Sequence, residues 1–347
     1  MQDGDGDGDG DGDATRAAGR RAHLIALLAS RYGAVRPALR PVYEHPDGAI
    51  YCVDRDGGAS WVARLFPPQR ARERVSGDAA VLRWVARGGV PAERVVATVE
   101  GEDAVALGGW SVLVTGHVAG TGADRSPATL RRLGDALGRL HALPPPPLSP
   151  QAAEAGRAGG ATPANDLPFG RGCLERVAGR VPPHLAGAYA ALRAALAATG
   201  DGAGLPHRLS HNDCHLGNAL RTAAGEVVLI DWAGSGQWPR VAALGVLLFS
   251  CAVQAPGEAP GEAPGGGGLA AVEPVLDGYR RHVTLTAAEV AYLPQAVRFR
   301  PAVIAARELA AAIEAGRTPD AATWGARYGE AEAVAARASA LLAPARR

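Results

Sequence analysis

The sequence predicts an α+β fold of two lobes, in which a small antiparallel β-sheet lobe with one helix precedes a larger, mostly helical lobe. The first observation is a change in pattern, because short β-type runs dominate up to residue 118 and helical periodicity dominates from Gly120 onward. The second is the length of 347 residues, which exceeds what a single core usually fills. We therefore expect a front lobe over residues 21–118 and a back lobe over residues 119–347.

The chain begins with an Asp/Gly alternation over residues 2–13, which offers no apolar side chain to bury and repels itself. We therefore expect a disordered tail over residues 1–20, before a short helix within His23–Tyr32. A calcium-binding loop starting at Asp3 is disfavoured, because its twelfth position holds Ala14 where a bidentate Glu is needed.

Five β-type runs and one helix are predicted in the front lobe. The runs are Leu39–Tyr43, Ala49–Asp54, Ser60–Phe66, Val95–Val99 and Trp110–Thr115. Between the third and fourth runs, apolar residues on one face predict a helix from about Asp78 to Arg87, which Gly88 and Gly89 terminate. The predicted order is three strands, one helix and two strands.

The back lobe opens with a helix whose N-cap is Ser126 and whose first position is Pro127. Leucines recur there at helical spacing until the Pro144–Pro147 run ends the helix. The apolar stretch Val241–Val253 is 13 residues long, shorter than a membrane span, and predicts a buried core helix. Thr286 with Glu289, three residues later, has the pattern of a capping box and predicts a helical C-terminal region.

Charge and cysteine content exclude several classes of function. The formal net charge is +1 and all 36 basic residues are Arg, without a basic block, so neither a nucleic-acid nor a membrane partner is expected. The four cysteines have no CxxC spacing, and the N-terminus has no apolar signal-peptide core. We expect a cytoplasmic protein, and the sequence leaves its oligomeric state open.

One segment of the back lobe carries the pattern of a chemical site. His211, Asp213 and Asn218 follow the spacing His-x-Asp-x-x-x-x-Asn of the kinase catalytic loop, and a hydrophobic strand ending at Asp231 comes next. Asp213 can accept the proton of an acceptor hydroxyl, while Asn218 and Asp231 offer the hard oxygen ligands that Mg²⁺ prefers. Gly225 lies between two β-type runs and predicts a hairpin that brings these residues together.

The residues Asp213–Asn218 read Asp-Cys-His-Leu-Gly-Asn and resemble the Asp-Leu-His-Pro-Gly-Asn signature of the aminoglycoside phosphotransferase, choline kinase and homoserine kinase group. Ile230–Trp232 is similar to the Ile-Asp-Trp of that group, its counterpart of the protein-kinase Asp-Phe-Gly. Leu133–Leu143 and Asp277–Arg280 resemble further parts of the family, so the resemblance covers most of the chain. It implies a bilobal protein-kinase-like fold that uses ATP and Mg²⁺ to phosphorylate a hydroxyl of a small molecule.

The histidines of this segment have a more modest interpretation. His211 and His215 are expected to brace the loop through hydrogen bonds rather than to touch the substrate. After Ile-Asp-Trp the family often places an Asp that anchors the catalytic loop, whereas Arg240–Leu244 reads Arg-Val-Ala-Ala-Leu here. An anchoring carboxylate is therefore missing at the usual place.

In the front lobe, Arg64 lies on the third strand within Val-Ala-Arg-Leu, where kinases present Val-Ala-Ile-Lys with the Lys on the nucleotide phosphates. Arg64 is the expected phosphate ligand of this Lys-free chain, although a planar guanidinium is not geometrically equivalent to an ammonium. By resemblance, Asp78 is expected to be its partner acid, with Glu73 as second choice. The alternative is that Arg64 is an exposed strand residue.

Three further nucleotide contacts are assigned by position in the resembling family. Gly48 lies in the loop between the first two strands, which lacks regular Gly-x-Gly-x-x-Gly spacing. Thr115 and His117 lie in the segment Val112–His117, where the interlobe hinge of the family receives adenine through backbone groups.

The leading hypothesis is an ATP- and Mg²⁺-dependent kinase that acts on a small-molecule hydroxyl. A regulatory pseudokinase is the alternative, because Arg64 replaces Lys and the anchor Asp is missing. Nucleotidyl transfer also stays open, since a fold does not fix a reaction. From residue 271 onward 10 Arg oppose 8 acidic residues, a balance that argues against a polycationic aminoglycoside and favours a neutral or zwitterionic alcohol. Three aromatic residues are candidates for a cage around a quaternary amine or for the core, namely Trp238, Trp324 and Tyr328.

Overall fold

The structure is a computed structural model that describes residues 9–45, 47–70, 72–146, 163–211, 213–253, 267–317 and 321–343. Residues 1–8, which include the start of the calcium loop considered from Asp3, lie outside the described residues. By its contacts the chain divides into two units, of which the first comprises residues 1–83 and 93–118 and the second comprises residues 84–92 and 119–347.

Residues 84–92 were expected in the front lobe but belong to the second unit. The reason is backbone pairing. The carbonyl oxygen of Pro91 accepts the Leu229 N–H at 3.1 Å, and Ala92 forms a parallel bridge to the same Leu229. Pro91 and Ala92 are thus paired with a strand that belongs to the second unit.

The first unit contains a five-stranded antiparallel sheet in the order β1-β2-β3-β5-β4. Its strands are β1 (Ala38–His45), β2 (Gly48–Asp54), β3 (Trp61–Phe66), β4 (Ala104–Leu107) and β5 (Trp110–Gly116). Alternate residues of β2 are buried, as the two-residue period of a strand requires, and they include Tyr51 and Val53. This face packs with Leu24 and Leu28 of α1 (Asp9–Tyr32) in one hydrophobic core.

The strand expected over Val95–Val99 is wrong. Val95 forms an isolated bridge to Thr115 of β5, and β4 pairs with the same edge of β5 from residue 110 to residue 113. Because β4 occupies most of that edge, the chain around Val95 has too few partners left to extend into a strand. The order of strands predicted for this unit is otherwise confirmed, with β4 in place of the predicted fourth run.

Helix α1 begins at Asp9, so the disorder expected over residues 1–20 is wrong from residue 9 onward. Two contacts at residues 20 and 21 join this helix to the sheet. The Arg20 guanidinium lies 4.5 Å from the centre of the Trp110 ring, and Arg21 forms an ion pair with Glu44 at 2.8 Å. Both contacts hold α1 against the sheet, and both residues precede the segment His23–Tyr32 from which the helix was predicted.

Helix α2 extends over Arg72–Arg87, so it starts six residues before the predicted Asp78 and ends where predicted. The first of the two terminating glycines follows directly, and the second, Gly89, has a φ of 72°. That left-handed conformation suits glycine and stops the helix.

The second unit is mainly helical. Its helices are α3 (Pro127–Ala142), α4 (Pro163–Val177), α5 (Ala186–Ala198), α6 (Arg240–Ala252), α7 (Gly267–Ala270), α8 (Val272–Tyr279), α9 (Ala287–Glu314) and α10 (Ala321–Leu342). The predicted caps are confirmed, since Ser126 accepts the Thr129 N–H and Thr286 forms a capping box with Glu289. The predicted core helix is α6, and none of the helices in the described ranges is long and apolar enough to cross a membrane.

Two small sheets complete this unit and carry the sequence motif. One has the order β6-β8-β9 and the other pairs β7 with β10. Their strands are β6 (Thr121–Gly122), β7 (His207–Ser210), β8 (Ala219–Arg221), β9 (Val227–Leu229) and β10 (Gly236–Pro239).

Helices α3 and α8 pack with their backbones in close approach. A Cβ at Gly134 would overlap the carbonyl oxygen of Val275, so only glycine allows this distance. The contact brings His141 of α3 to Tyr279 of α8, with Nδ1 and the hydroxyl oxygen 2.9 Å apart, and Nε2 lies 3.3 Å from the Ser210 hydroxyl. Burial lowers the pKa of His141 to about 3, so the ring is neutral and fixes the end of β7 just before the motif.

Candidate active site

The predicted hairpin of the motif is confirmed. Strands β8 and β9 are antiparallel, and the turn between them has Gly225 at a φ of 76°. The pairing continues one residue beyond the strands, because the Ile230 N–H donates to the carbonyl oxygen of Asn218 at 2.9 Å. Asn218 and the residue before Asp231 are therefore fixed side by side.

Asp213 is held by its neighbours through one carboxylate oxygen. Oδ2 lies 3.2 Å from Nε2 of His215 and accepts the Asn218 Nδ2–H at 3.0 Å. The hydrogen bond from His215, aided by the charge of Arg300, outweighs burial and holds the pKa of Asp213 below its ordinary value. Asp213 is thus ionised at neutral pH, and within the described part of the chain Oδ1 accepts no hydrogen bond.

Both motif histidines brace the loop, as the sequence indicates. Nδ1 of His215 accepts the Gly217 N–H at 3.0 Å, which shapes the turn over residues 216–218. Nε2 of His211 lies 2.9 Å from the Ile230 carbonyl oxygen, and its ring meets Trp232 edge-on with centroids 4.7 Å apart. His211 therefore connects the start of the motif to the end of β9.

Asp231 follows β9 with a φ of 62°, a left-handed conformation that Asp adopts more readily than most residues. The turn allows the next side chain, Trp232, to be buried and to donate its Nε1–H to the Leu229 carbonyl oxygen at 2.9 Å. Asp231 itself stays partly exposed. The local backbone thus presents a carboxylate beside a fixed indole.

Where the family places its anchoring Asp, this chain has Arg240, which forms an ion pair with Glu289 rather than with the catalytic loop. Arg240, the first residue of α6, donates to both carboxylate oxygens of the fully buried Glu289 on α9, at 2.7 and 2.9 Å. Burial tends to raise the pKa of Glu289, but the hydrogen bonds from Arg240 and Thr286 prevail and lower it. This pair fixes α6 to α9, while His211 braces the catalytic loop.

In the first unit, Arg64 is buried rather than exposed, with 8% of its surface accessible. Its Nη1 donates to Glu93 at 2.8 Å and to the Thr115 hydroxyl at 3.0 Å, and that hydroxyl donates to Glu93 at 2.9 Å. Nε of Arg64 is a buried donor without a partner in the described structure. The alternative of an exposed strand Arg is therefore wrong. Arg64 of β3, Thr115 of β5 and Glu93, which precedes β4, form one buried polar cluster.

Glu93 is a residue that the sequence analysis missed. The sequence gives little signal for it, because Glu93 lies beside Arg94 between short apolar stretches and looks like an ordinary surface charge. The predicted partner, Asp78, is also buried and accepts a hydrogen bond from Arg70 at 2.5 Å. The assignment of Asp78 to the nucleotide cluster stays a prediction.

The other predicted nucleotide residues have less specific surroundings. Gly48 opens β2 opposite His45, and a Cβ there would lie an ordinary 3.6 Å from the Leu65 carbonyl oxygen. His117 has an exposed side chain, and its backbone N–H donates to the Ser60 carbonyl oxygen at 3.0 Å. Adenine recognition through that N–H would require this bond to open, so the roles of Gly48, Thr115 and His117 stay predictions.

One residue outside the motif, Arg300, also lies beside Asp213. Arg300 of α9 donates through Nη1 to Asp166 of α4 at 2.6 Å, and its Nη2 lies 3.9 Å from Oδ1 of Asp213. The sequence gives no signal for this contact, because three distant parts of the chain supply it. Trp238, by contrast, is buried in the core, and the side chains of Trp324 and Tyr328 lie outside the described structure, so nothing supports an aromatic cage.

A metal would need to be held by few protein ligands. In the described ranges, no group of three or more His, Cys, Asp or Glu side chains is arranged to hold a metal ion. Asn218 uses its Nδ2 toward Asp213, which leaves Oδ1 as the ligand atom, and Asp231 adds a carboxylate. Such a pair fits Mg²⁺, which usually takes one or two protein oxygens and completes its shell with phosphate and water.

A model of the phosphotransferase enzyme family matches residues 47–281. Among solved structures, the amicoumacin kinase hAmiN in complex with AMP-PNP, Ca²⁺ and Ami is similar, with a TM-score of 0.61 and 17% identity over 92% of this chain and 96% of that chain. Spectinomycin phosphotransferase APH(9)-Ia, in complex with ADP and spectinomycin, has a TM-score of 0.61 and 12% identity over 92% of this chain and 98% of that chain.

A choline/ethanolamine kinase family protein from Mesorhizobium loti has a TM-score of 0.57 and 17% identity, over 93% of this chain and 99% of that chain. No curated protein sequence matches this chain. At these identities the similarity to solved structures establishes the fold, and the predicted protein-kinase-like α+β architecture is confirmed.

Proposed function

Because the chain belongs to the phosphotransferase enzyme family and is a small-molecule kinase, we propose that it transfers the γ-phosphate of ATP, with Mg²⁺, to a hydroxyl of its acceptor. The observation that carries this proposal is the state of Asp213. Its carboxylate is ionised, fixed through Oδ2 by His215 and Asn218, and has Oδ1 left for a substrate proton. A positioned base of this kind is what an acceptor hydroxyl needs.

In the proposed reaction the acceptor oxygen forms a bond to the γ-phosphorus while the bond from that phosphorus to the bridging oxygen of ADP breaks. The hydroxyl proton passes to Oδ1 of Asp213, and ADP leaves. Asp213 thus orients the nucleophile and removes its proton, and His215 and Asn218 prevent the carboxylate from turning away. No other side chain needs to change its bonds in this scheme.

Asn218 and Asp231 would hold the metal. Their neighbouring positions are set by the backbone bond between Ile230 and Asn218, and both side chains offer hard oxygen ligands. When bound, Mg²⁺ would neutralise charge on the β- and γ-phosphates. The amicoumacin kinase, whose complex contains AMP-PNP and Ca²⁺, supports the use of a nucleotide together with a divalent cation.

Arg64 is proposed to bind nucleotide phosphate. Its cluster with Glu93 and Thr115 fixes the guanidinium through Nη1, while the buried Nε has no partner in the described chain. A guanidinium fixed in this way is a suitable partner for a phosphate oxygen. Glu93 is the acid that meets Nη1 of Arg64, and the assignment of Asp78 to the same cluster stays a prediction.

A regulatory pseudokinase remains the second candidate, motivated by Arg64 in place of Lys. The complete set of base and metal-binding side chains favours the enzyme, because a purely regulatory fold has no need of Asp213. We propose a cytoplasmic location from the four free cysteines, Cys52, Cys173, Cys214 and Cys251, since free thiols persist under reducing conditions. The expected partner is the small-molecule acceptor, without nucleic acid or membrane.

The proposed function is tested by measuring ADP formation from MgATP over a broad panel of hydroxylated metabolites and antibiotics. Acceptor-dependent ADP formation that requires the divalent cation is the expected result. Binding of MgATP without turnover of any acceptor would favour the regulatory candidate. Absence of MgATP binding would reject both nucleotide-dependent functions.

A further inference from the structure

Among the described residues, Oδ1 is the carboxylate oxygen of Asp213 that accepts no hydrogen bond. Oδ2 is occupied by His215 at 3.2 Å and by Asn218 at 3.0 Å, so the acceptor hydroxyl must approach Oδ1. The surroundings of Oδ1 therefore select the acceptor. This argument rests on the proposed function of Asp213 as the base.

The group beside Oδ1 is the guanidinium of Arg300. Its Nη2 lies 3.9 Å from Oδ1, which is beyond hydrogen-bonding distance but leaves space for a ligand atom that touches both groups. Among the described residues, Nη2 donates no hydrogen bond. The side chain is 28% accessible, so a small molecule can reach it.

Arg300 is held in this orientation from its other side. Nη1 donates to Asp166 at 2.6 Å, and Asp166 is itself mostly buried. Burial raises the pKa of Asp166 and the Arg300 charge only partly counters this, which indicates a carboxylate that depends on the guanidinium for its compensation. Arg300 is thus a fixed cation with donors directed at the acceptor position.

We infer that Arg300 binds a carboxylate of the acceptor, and that the substrate is a short hydroxy acid or hydroxy amino acid. A carboxylate a few bonds from the hydroxyl can meet Nη2 while the hydroxyl meets Oδ1, since these atoms are 3.9 Å apart. Guanidinium and carboxylate form strong charge-assisted hydrogen bonds. A polycationic or quaternary amine acceptor offers no acceptor atom of comparable strength to Nη2.

The test compares acids with their neutral amides on the intact protein. The probes are L-serine, glycerate and 3-hydroxybutyrate, each paired with its primary amide, together with choline and ethanolamine. Stabilisation against heat is measured in the presence of MgADP, and ADP formation is measured with MgATP. We expect each acid to exceed its amide at least about tenfold in kcat/KM and to stabilise the protein more. A hydrogen bond to a charged group changes binding by about this factor.

Arg300→Gln should abolish the preference for acids and leave the amides nearly unaffected. Arg298→Gln is the matched control, because Arg298 lies on the same helix, pairs with Glu332 at 2.5 Å and points to a different face two residues away. If Arg300→Gln does not fold, Arg300→Lys and the acid-to-amide ratio of the wild type still decide the matter. Lys should keep the preference for acids at reduced strength.

Three results would overturn the inference. The first is that the wild type binds or uses amides or cations as well as it uses acids. The second is that Arg300→Gln keeps both the activity and the acid-to-amide ratio of the wild type. The third is that Arg300→Gln slows acids and amides by the same factor. The last result would assign Arg300 to the transferred phosphoryl group instead. Failure of the proposed function is distinguishable, since acids, amides and cations would then all give no acceptor-dependent ADP formation, whether or not MgATP alone stabilises the protein.

Discussion

The side-chain amide of Asn218 donates a hydrogen bond to Oδ2 of Asp213 at 3.0 Å. It donates a second one to the Asp213 carbonyl oxygen at the same distance. The residue proposed to hold the metal therefore also fixes the residue proposed to act as the base. The two functions can still be separated by substitutions, because they use different atoms.

Asp213→Asn should reduce phosphate transfer by about 10² to 10⁴-fold, which is the usual contribution of a general base. The affinity for MgATP should stay nearly unchanged, because Asn218 and Asp231 are still present. Steady-state turnover and nucleotide binding measure the two effects, with the melting temperature as a control for folding. Normal turnover in the folded variant would eliminate Asp213 as the base.

Asp231→Ala should abolish metal-dependent stabilisation by ATP, since it removes the carboxylate that would hold the cation. In the wild type, ATP should raise the melting temperature only when a divalent cation is present, because a ligand of the native state shifts unfolding. Asp277→Ala is the matched control, as Asp277 is an exposed acid of α8. A response of Asp231→Ala equal to that of the wild type would show that the metal is held elsewhere.

Arg64→Ala should both weaken nucleotide binding and destabilise the first unit. The loss of stability follows because the buried Glu93 would lose the guanidinium that it faces at 2.8 Å, and breaking a buried ion pair costs about 3–5 kcal/mol. Arg64→Lys should keep or improve nucleotide affinity, since a compact ammonium is the usual phosphate ligand at this strand position. Chemical denaturation measures the first effect and titration with MgATP the second. Equal affinity in all three proteins would remove Arg64 from the nucleotide site.

Protonation of Asp213 should not reduce transfer at pH values well above 3.8, the ordinary pKa of Asp. The reason is that the pKa of Asp213 in the folded protein is lower than this value. His215→Ala removes the largest cause of that lowering, so the pKa of Asp213 should rise and the acidic limb of kcat/KM should move to higher pH. His184→Ala, at an exposed histidine, is the control. An acidic limb that stays in place in His215→Ala would contradict the role assigned to this hydrogen bond.

Arg240→Ala should destabilise the second unit by about 3–5 kcal/mol at neutral pH, because it leaves the fully buried Glu289 without its cation. Since the pKa of Glu289 is lowered by folding, its contribution is present above the pKa of the unfolded chain and is lost as the pH falls through the folded-state pKa. Denaturation of Arg240→Ala, Glu289→Gln and the double variant as a function of pH measures the coupling. Additive effects would show that the pair does not act as a unit.

Local sequence determined much of this protein. The caps of α3 and α9, the end of α2 at Gly88 and the turn at Gly225 depend on residues within a few positions of one another, so their chemistry is visible in the sequence. The spacing of Asp213 and Asn218, and the strand that ends at Asp231, likewise lie within one short segment. These features were predicted because the physics that creates them is local.

Tertiary structure alone decided which residues meet across the chain. Glu93 meets Arg64 at Nη1, and the edge of β5 is shared so that Val95 forms only a bridge. Arg300 reaches Asp213 because α4 and α9 bring Asp166 and Arg300 together, although 134 residues separate these two in sequence. Burial makes such charges seek partners, but which partner is available depends on how the helices and strands pack.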